Sequence, residues 1–494
     1  MASLSLNGTV IPPPCPSHIQ KALQHALISK EKLLDKEINP VAYFMNFTRF
    51  EENANKLFEA FSILKTTKTT HTFAIKSNPL GGVLKKACKL KLGAECASIV
   101  EVKHAIQCGF EKEKIVFDSP AKTHSEIEFC IKNRIYMNCD NLNEIERVAA
   151  VLTKLKSDVL APRVGLRINP GLGSGKISTS STATKTSKFG VYIGNNKDEI
   201  IEKCKKYKFI TGFHVHVGSQ GCPLDMLVDG VKCITNLAVE INNIIRHDSA
   251  SNRQQQITIL DFGGGLGINY DSDEDAKMHY LEYAKKLKES IVEFNDNNNS
   301  DNRFEIFTEF GRSMIQKCGW IGTYVNNVKN NSGRNIATCH VGSDMFLRTA
   351  YLPKQWAHRI SVFSSAIVLD NNNNNNNRRR RTTIINERII KEKNEFELYD
   401  IAGPLCFSGD MIATKRLMPK ILEGDWLVVH DAGGYTYSMH SRYNSIPAPA
   451  VYSYRYQQSN NNEDMDDKEK VELLEFNIVK ERETWEDVCK FWNL

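Results

Sequence analysis

The sequence predicts an α/β fold, a (β/α)8 TIM barrel followed by an all-β C-terminal domain. Three observations predict it. Eight short β-rich runs recur every roughly 20 to 50 residues, with helix-like apolar spacing between them. Polar residues gather at the C-terminal ends of those runs, where a barrel concentrates its site. After about residue 315 the β-rich runs continue without long intervening helices.

The runs, in order, are Thr72–Lys76, Ala94–Ser98, Lys114–Ser119, Ile135–Asp140, Arg163–Asn169, Phe209–Val217, Ile257–Gly265 and Phe304–Arg312. The intervals read as helices. One follows Ser98 through Ile-Val-Glu-Val-Lys-His-Ala-Ile, and another opens on the capping types Asp140 and Asn141 with Glu144 close behind. A doubly wound open sheet has the same spacing. The barrel is favoured because Lys76, Glu95, Asp118, Arg167, His216, Gly263–Gly265 and Glu309–Arg312 all fall at or near the ends of their runs. Gly319–Val325, Phe396–Ala402, Asp425–His430 and Pro449–Arg455 then predict the β domain.

The expected division is an N-terminal leader over 1–40 that partly joins the β domain, a barrel over 41–315 and the β domain over 316–494. Val41–Phe47 is a further candidate for the β domain. Residues 1–15, with prolines at 12, 13 and 14, read as a loose leader. Asparagine-rich stretches at Asn295–Asn302, Asn371–Asn377 and Asn460–Asp467 read as loop insertions, because such tracts bury too little apolar surface to order themselves.

Composition sets the outer limits. A chain of 494 residues, 41% hydrophobic and 25% charged, can bury a large core and is neither collagen, coiled coil nor disordered throughout. No stretch approaches the roughly 20 apolar residues of a membrane span. Sixty-four basic and 58 acidic residues leave a net charge of +6, which points to no nucleic-acid partner. The run Arg378–Arg381 reads as a solvated loop. The 13 cysteines include no C-x-x-C pair, so neither a zinc ribbon nor a thioredoxin-like motif is expected. With no secretory signal at the N-terminus, they read as reduced thiols of a cytoplasmic protein.

Four features carry chemistry. Lys76 follows an apolar run; a lysine desolvated at the inner end of a barrel strand loses basicity and becomes a nucleophile, although an ordinary loop lysine has the same local sequence. Gly263-Gly264-Gly265 after ITILDF lets backbone amides approach a phosphate. Its spacing suits a single phosphate better than a dinucleotide, and a tight strand–helix turn is the plain alternative. Glu309-Phe310-Gly311-Arg312 can serve two ends of one ligand, with Arg312 on a phosphate and Glu309 holding a ring nitrogen protonated, or the two can pair with each other. In His214-Val215-His216-Val217-Gly218-Ser219-Gln220 the two histidines are expected to take opposite faces, with only one facing the interior. That one can stack on a flat ring while Ser219 reaches a phosphate. A metal pair is disfavoured because no third ligand follows nearby, and no metal is expected.

This set resembles the alanine-racemase-fold (group IV) pyridoxal-dependent ornithine, arginine and diaminopimelate decarboxylases, over roughly residues 40–455. His214–Gln220, Leu166–Gly171 with Ser187–Gly190, and Ser438–Pro449 look most like diaminopimelate decarboxylase. The resemblance implies pyridoxal 5'-phosphate bonded to Lys76, with His216 against its ring. It implies Ser219, Gly263, Gly264, Gly265, Gly311 and Arg312 around the phosphate, and Glu309 on the pyridine nitrogen. Tyr435, in Asp431-Ala-Gly-Gly-Tyr435, is implied as a further cofactor contact. Arg312, Arg348 and Tyr351 are implied for a small amino-acid substrate. Cys406, in Gly403-Pro404-Leu405-Cys406, resembles a catalytic cysteine lent to the neighbouring subunit's site, which implies a homodimer.

The pattern departs from the family at Phe407, where an acid that binds the substrate's far amino group is usual. A phenyl face offers an ammonium only a cation–π contact of about 0.5–2 kcal/mol. Smaller departures are Phe310 for Pro, Gly434 for Ala and Glu95 for Asp or a small residue. The implied reaction is α-decarboxylation, with meso-diaminopimelate giving L-lysine as first choice. The alternatives are an ornithine- or arginine-type decarboxylase of polyamine synthesis and a non-catalytic homologue of the antizyme-inhibitor type. Alanine racemase pairs the ring nitrogen with arginine, and Glu309 argues against it.

Overall fold

The computed structural model describes residues 13–155, 162–175, 181–247, 256–273, 279–295, 302–370, 380–388, 396–457 and 473–493. The chain divides into two compact units. One is Glu51–Ile268 with Ala276–Met314; the other is Met1–Phe50, Asn269–Asp275 and Ile315–Leu494.

The first unit is the expected barrel. Its strands are β1 (Lys68–Ala74), β2 (Gly93–Cys96), β3 (Ile115–Phe117), β4 (Tyr136–Cys139), β5 (Val164–Asn169), β6 (Ile210–His214), β7 (Ile259–Asp261) and β8 (Glu305–Phe310). Each pairs in parallel with the next, and β8 returns to β1, so the sheet closes. Closure leaves no edge strand in the ring. Val116, Tyr136, Ile259 and Phe307 pack inside it, with Tyr136 stacked on Phe307 at 5.3 Å. A side chain at Gly165 or Gly212 would run into the Tyr136 hydroxyl, so these two glycines make room for the ring.

The helices between strands show why the intervals read as helical. Ser98 caps Ile99–Gln107 by accepting from the Glu101 amide, and Thr123 and Glu126 form a capping box on His124–Lys132. Asn141 accepts from the Glu144 amide at the head of Leu142–Leu155. Leu224–His247 buries Leu227, Val231, Ile234, Ala238, Ile241 and Ile245, a stripe at helical spacing.

The second unit is a mixed sheet. Val41–Asn46 lies antiparallel to Gly319–Asn331 and parallel to Ala450–Gln457, so it belongs to this sheet and not to the barrel. The path runs outward through Trp426–Val429 and Ile360–Asp370 to Arg380–Glu387, and on the other side to Leu473–Lys480. Arg334–Cys339, Phe396–Ala402 and Met411–Pro419 branch from Gly319–Asn331. Helix Ser17–Ile28 buries Ile19, Ala22, Leu23 and Ala26 in one core with Phe44, Trp320 and Trp426. The leader is therefore anchored earlier than expected. Cys15 is already buried, and its amide donates to Glu387.

Strand ends differ from expectation in two places that matter. The first strand begins at Lys68 and stops at Ala74, because Ile75–Ser77 turns into a 3₁₀ helix closed by Asn78 N–H on the Ile75 carbonyl at 2.9 Å. The sixth stops at His214, not Val217. The stretches Asn371–Asn377 and Asn460–Asp467, most of Asn295–Asn302, and Arg378 and Arg379 lie outside the described residues.

Candidate active site

Eight parallel strands end on one face, so residues at or just past those ends are brought together whatever their distance in sequence. The 3₁₀ turn after β1 carries Lys76 into this mouth. Its amine lies 2.9 Å from Glu95 of β2. The Lys76 side chain is 39% exposed, so the expected desolvation does not occur. A buried carboxylate partners the amine instead. Burial pushes the Glu95 carboxyl up, and Lys76 pulls against that.

Behind this pair is a cluster of acids around one imidazole. His214, the last residue of β6, is fully buried, with Nδ1 3.5 Å from Asp118 Oδ1 and Nε2 3.5 Å from Glu309 Oε2. Asp118 follows β3 and sits 3.9 Å from Arg167 of β5. Asp261 ends β7; it accepts from Asn138 Nδ2 at 3.1 Å and from the Gly263 amide at 3.0 Å. Burial, then the Asp118 and Glu95 charges, hold the Glu309 carboxyl well above its ordinary range. Burial also pushes His214 down, against Asp118 and Asp261. Neither Glu309 oxygen and neither His214 nitrogen has a hydrogen-bond partner of good geometry among the described residues.

Two expectations are corrected here. The histidines are not divided between strand faces: residues two apart share a face, and β6 ends at His214, so it is the chain's departure from the strand that separates them. His214 faces Asp118 and Glu309, while His216 turns back so that its Nδ1 accepts from the Gly264 amide at 3.1 Å. The expectation of no further ligand near the histidines also fails. Asp118, His214 and Glu309 place donor atoms within 4.8 Å of one another, brought from three strands that sequence spacing does not connect. Arg167 and Lys76 already supply positive charge to the acids of this cluster.

The glycine turn lies beside His216. Gly263 and Gly265 have φ of +61° and +118°, the left-handed region that favours glycine. A Cβ on Gly264 would stand 2.5 Å from the Glu309 carbonyl, and one on Gly263 2.5 Å from that of Val215. The Gly263 and Gly264 amides are held by Asp261 and His216. That leaves Gly265 as the one of the three with no protein acceptor among the described residues. Arg312 does not pair with Glu309, the plain alternative to a phosphate contact: its Nε and Nη2 lie 3.4 and 3.3 Å from Ser219 Oγ. Gly311, between them, packs where a Cβ would stand 3.0 Å from Ala74 and Ser77 of the neighbouring β1 turn.

The remaining expected site residues belong to the sheet unit. Arg348 lies between the rings of Tyr435, at 4.4 Å, and Trp356, at 4.6 Å. Tyr351 is 74% exposed. Cys406 is the exposed one of the thirteen free cysteines, and its amide donates to Asn444 Oδ1 at 2.7 Å. Phe407, 42% exposed, meets Tyr443 edge-on at 5.9 Å. The loop is tied down by buried Asp410, which accepts from the Leu405 amide and from Ser343. Sequence reasoning gave His214 no role of its own and passed over Asp261 and Asn138. The one available signal was an acid in an apolar strand, Asp261, one residue short of the triglycine.

Residues 48–316, more than half of the chain, match the pyridoxal-binding domain of the pyridoxal-dependent decarboxylases, and residues 270–433 match their C-terminal sheet domain. The chain belongs to this family. Among its relatives is the diaminopimelate decarboxylase of Methanothermobacter thermautotrophicus, 26% identical over 94% of each chain. That of Helicobacter pylori is 25% identical over 85% of this chain and 91% of its own. The crystal structure of the Helicobacter pylori enzyme complexed with L-lysine shares the fold, with a TM-score of 0.71 at 22% identity, covering 92% of this chain and 98% of that one.

A pyridoxal-dependent decarboxylase needs a group to hold each end of its cofactor, and the barrel mouth offers them. The two orphaned oxygens of buried Glu309 suit a pyridinium N–H. Ser219, Arg312 and the Gly265 amide suit a phosphate, and the Lys76 amine stands exposed enough to meet an aldehyde.

Proposed function

We propose that the protein decarboxylates an amino acid, and that meso-diaminopimelate, yielding L-lysine, is the substrate. The observation that carries the chemistry is the buried, unpartnered Glu309 carboxylate at the same barrel mouth as Lys76. The substrate reading is supported by relatives named for diaminopimelate decarboxylation that span nearly the whole chain.

Pyridoxal phosphate supplies an aldehyde to take up the substrate amine and a ring to accept the electrons of the breaking carbon–carboxylate bond. Lys76 Nζ would hold the aldehyde. Glu95, which accepts from Nζ at 2.9 Å, would steady the ammonium form of that amine. His216, pinned through Nδ1 by the Gly264 amide, presents its ring face to the cofactor. Glu309 keeps the ring nitrogen protonated, while Ser219, Arg312 and the glycine turn hold the phosphate. Arg348 and Tyr351 bind substrate, with Tyr435 completing the cofactor contacts. Cys406 Sγ returns a proton to Cα, a step typically worth 10²–10⁴-fold in rate. Cys406 serves the neighbouring subunit, so the active unit is a homodimer. Thirteen free cysteines support a reducing compartment, the cytoplasm.

The purified protein is expected to be yellow, with borohydride fixing the chromophore to Lys76, and Lys76→Ala is expected to be colourless. Carbon dioxide release across L-, D- and meso-amino acids tests the substrate. Release from ornithine or arginine in preference to meso-diaminopimelate would overturn that assignment. A colourless wild type would leave the non-catalytic homologue.

A further inference from the structure

His214 has no role in the chemistry proposed so far, yet it is a fully enclosed titratable group of the mouth. Its ring separates two carboxylates on opposite nitrogens, Asp118 at Nδ1 and Glu309 at Nε2, each at 3.5 Å. The charged and titratable groups around it come from every strand end packed there. They are Glu95 from β2, Asp118 after β3, Arg167 from β5, His216 just past β6, Asp261 from β7, Glu309 from β8, and Lys76 from the turn after β1. With Asp118 ionised, its carboxyl held down by His214 and Arg167 against burial, a ring in this place has two ways to satisfy both nitrogens. A neutral imidazole with its proton on Nδ1 donates to Asp118 and needs Glu309 protonated, so that Glu309 can donate to Nε2. If Glu309 is ionised, Nε2 must carry a proton too, and the ring becomes an imidazolium between two carboxylates.

We propose that His214 is a positioning residue that takes the proton of Glu309 when a protonated pyridine nitrogen docks on that carboxylate. The inference rests on the pyridoxal reading of the site and adds a proton path to it. The step balances. The O–H bond at Glu309 Oε2 breaks and an N–H bond forms at His214 Nε2. Glu309 is left anionic toward the pyridinium, and Asp118 stabilises the imidazolium from the far side. No proton leaves for solvent. The directions of the local shifts agree: burial together with Asp118 and Glu95 favours protonated Glu309, and burial favours neutral His214, before any positive ring arrives. Without His214, Glu309 loses its neutral proton acceptor, and the charges of Asp118 and Glu95 oppose its ionising toward a ring that arrives already protonated.

The test counts protons. Full-length protein freed of cofactor is titrated with pyridoxal phosphate by calorimetry in two buffers of different ionisation enthalpy, and affinity is followed from pH 6 to 8. His214→Gln, which still bridges the gap but takes up no proton, is expected to release one more proton per cofactor bound than wild type. Its affinity relative to wild type should then fall about tenfold for each pH unit lowered. Titration of the cofactor's own phosphate is common to both proteins and cancels in the difference. Asp118→Asn keeps the imidazole, removes its counter-charge, and is expected to shift the count in the same direction. It also decides the matter if His214→Gln does not fold. A variant that binds more weakly by the same factor at every pH, with an unchanged proton count, would show a packing role only and overturn the proposal. A wild type that takes up no pyridoxal phosphate would instead sink the cofactor reading.

Discussion

Lys122 shows how much of the site depends on residues that never reach it. Its side chain is wholly buried, and it donates to the Ser119 carbonyl at 2.7 Å, the Asn138 carbonyl at 2.6 Å and Glu144 at 3.1 Å. It thereby ties the loop that follows Asp118 to the end of β4. Removing one member of a buried ion pair strands the other, so Lys122→Met is expected to cost roughly 3–5 kcal/mol in a urea unfolding series. Adding Glu144→Gln should recover part of that loss; a double variant no better than the single would argue against a stranded charge. Asp344 is the opposite case. Burial pushes its carboxyl from 3.8 to about 6, against the Gly342 amide that donates to it. Between those two values the folded state holds more protons than the unfolded one. Stability therefore falls as pH rises through that window, and the full cost, about 3 kcal/mol, applies above pH 6. Asp344→Asn keeps the acceptor oxygen. It is expected to raise the urea midpoint at pH 7.5 and to bring little gain at pH 4; equal gains at both would rule out the buried charge as the cause. Lys76, His216, Ser219, Glu309 and Arg312 could be singled out from sequence because each is chemically costly at the end of an apolar run. His214 could not, since its meaning depends on Asp118 and Glu309, residues about a hundred positions away on either side.

At the scale of elements, the turn after β7 is the tightest passage. Gly264→Ala would press a methyl group against the Glu309 carbonyl and toward His216. It is expected to weaken pyridoxal phosphate binding at least about tenfold, because the required shift moves both the ring's carboxylate and its stacking imidazole. The fold should persist, and near-ultraviolet circular dichroism against cofactor titration separates the two effects. Unchanged affinity would mean that the turn is a connection only. Strand existence was legible here from short β-rich runs and helix caps. Strand ends were not: alternation along Phe209–Val217 reads as one continuous strand, whereas the paired register with β5 and β7 ends at His214, with one last bond from the Val215 amide to the Asp261 carbonyl. That difference of three residues moves His216 from a strand face to a loop, and with it the assignment of which imidazole looks inward.

At the scale of the molecule, the chain joins a closed barrel that carries Lys76 to a sheet that carries Cys406. If each active site draws these residues from two subunits, Lys76→Ala and Cys406→Ala proteins, each inactive alone, should regain part of the activity when their subunits are exchanged. One hybrid site then holds both intact residues, up to about a quarter of all sites under random mixing of equal amounts. No recovery after verified exchange would assign each site to a single chain. The barrel itself was determined by local sequence, since eight runs of one period, with their polar residues at one end, admit few closed arrangements. So were the phosphate-suited glycines and the lysine, whose character is carried by a few adjacent residues. Only the tertiary structure decided that Lys76 meets Glu95, that Arg312 turns to Ser219, and that one imidazole stands between Asp118 and Glu309. Those pairings are set by the register of non-adjacent strands around a ring, and no pattern along a single strand encodes which neighbour the ring will supply.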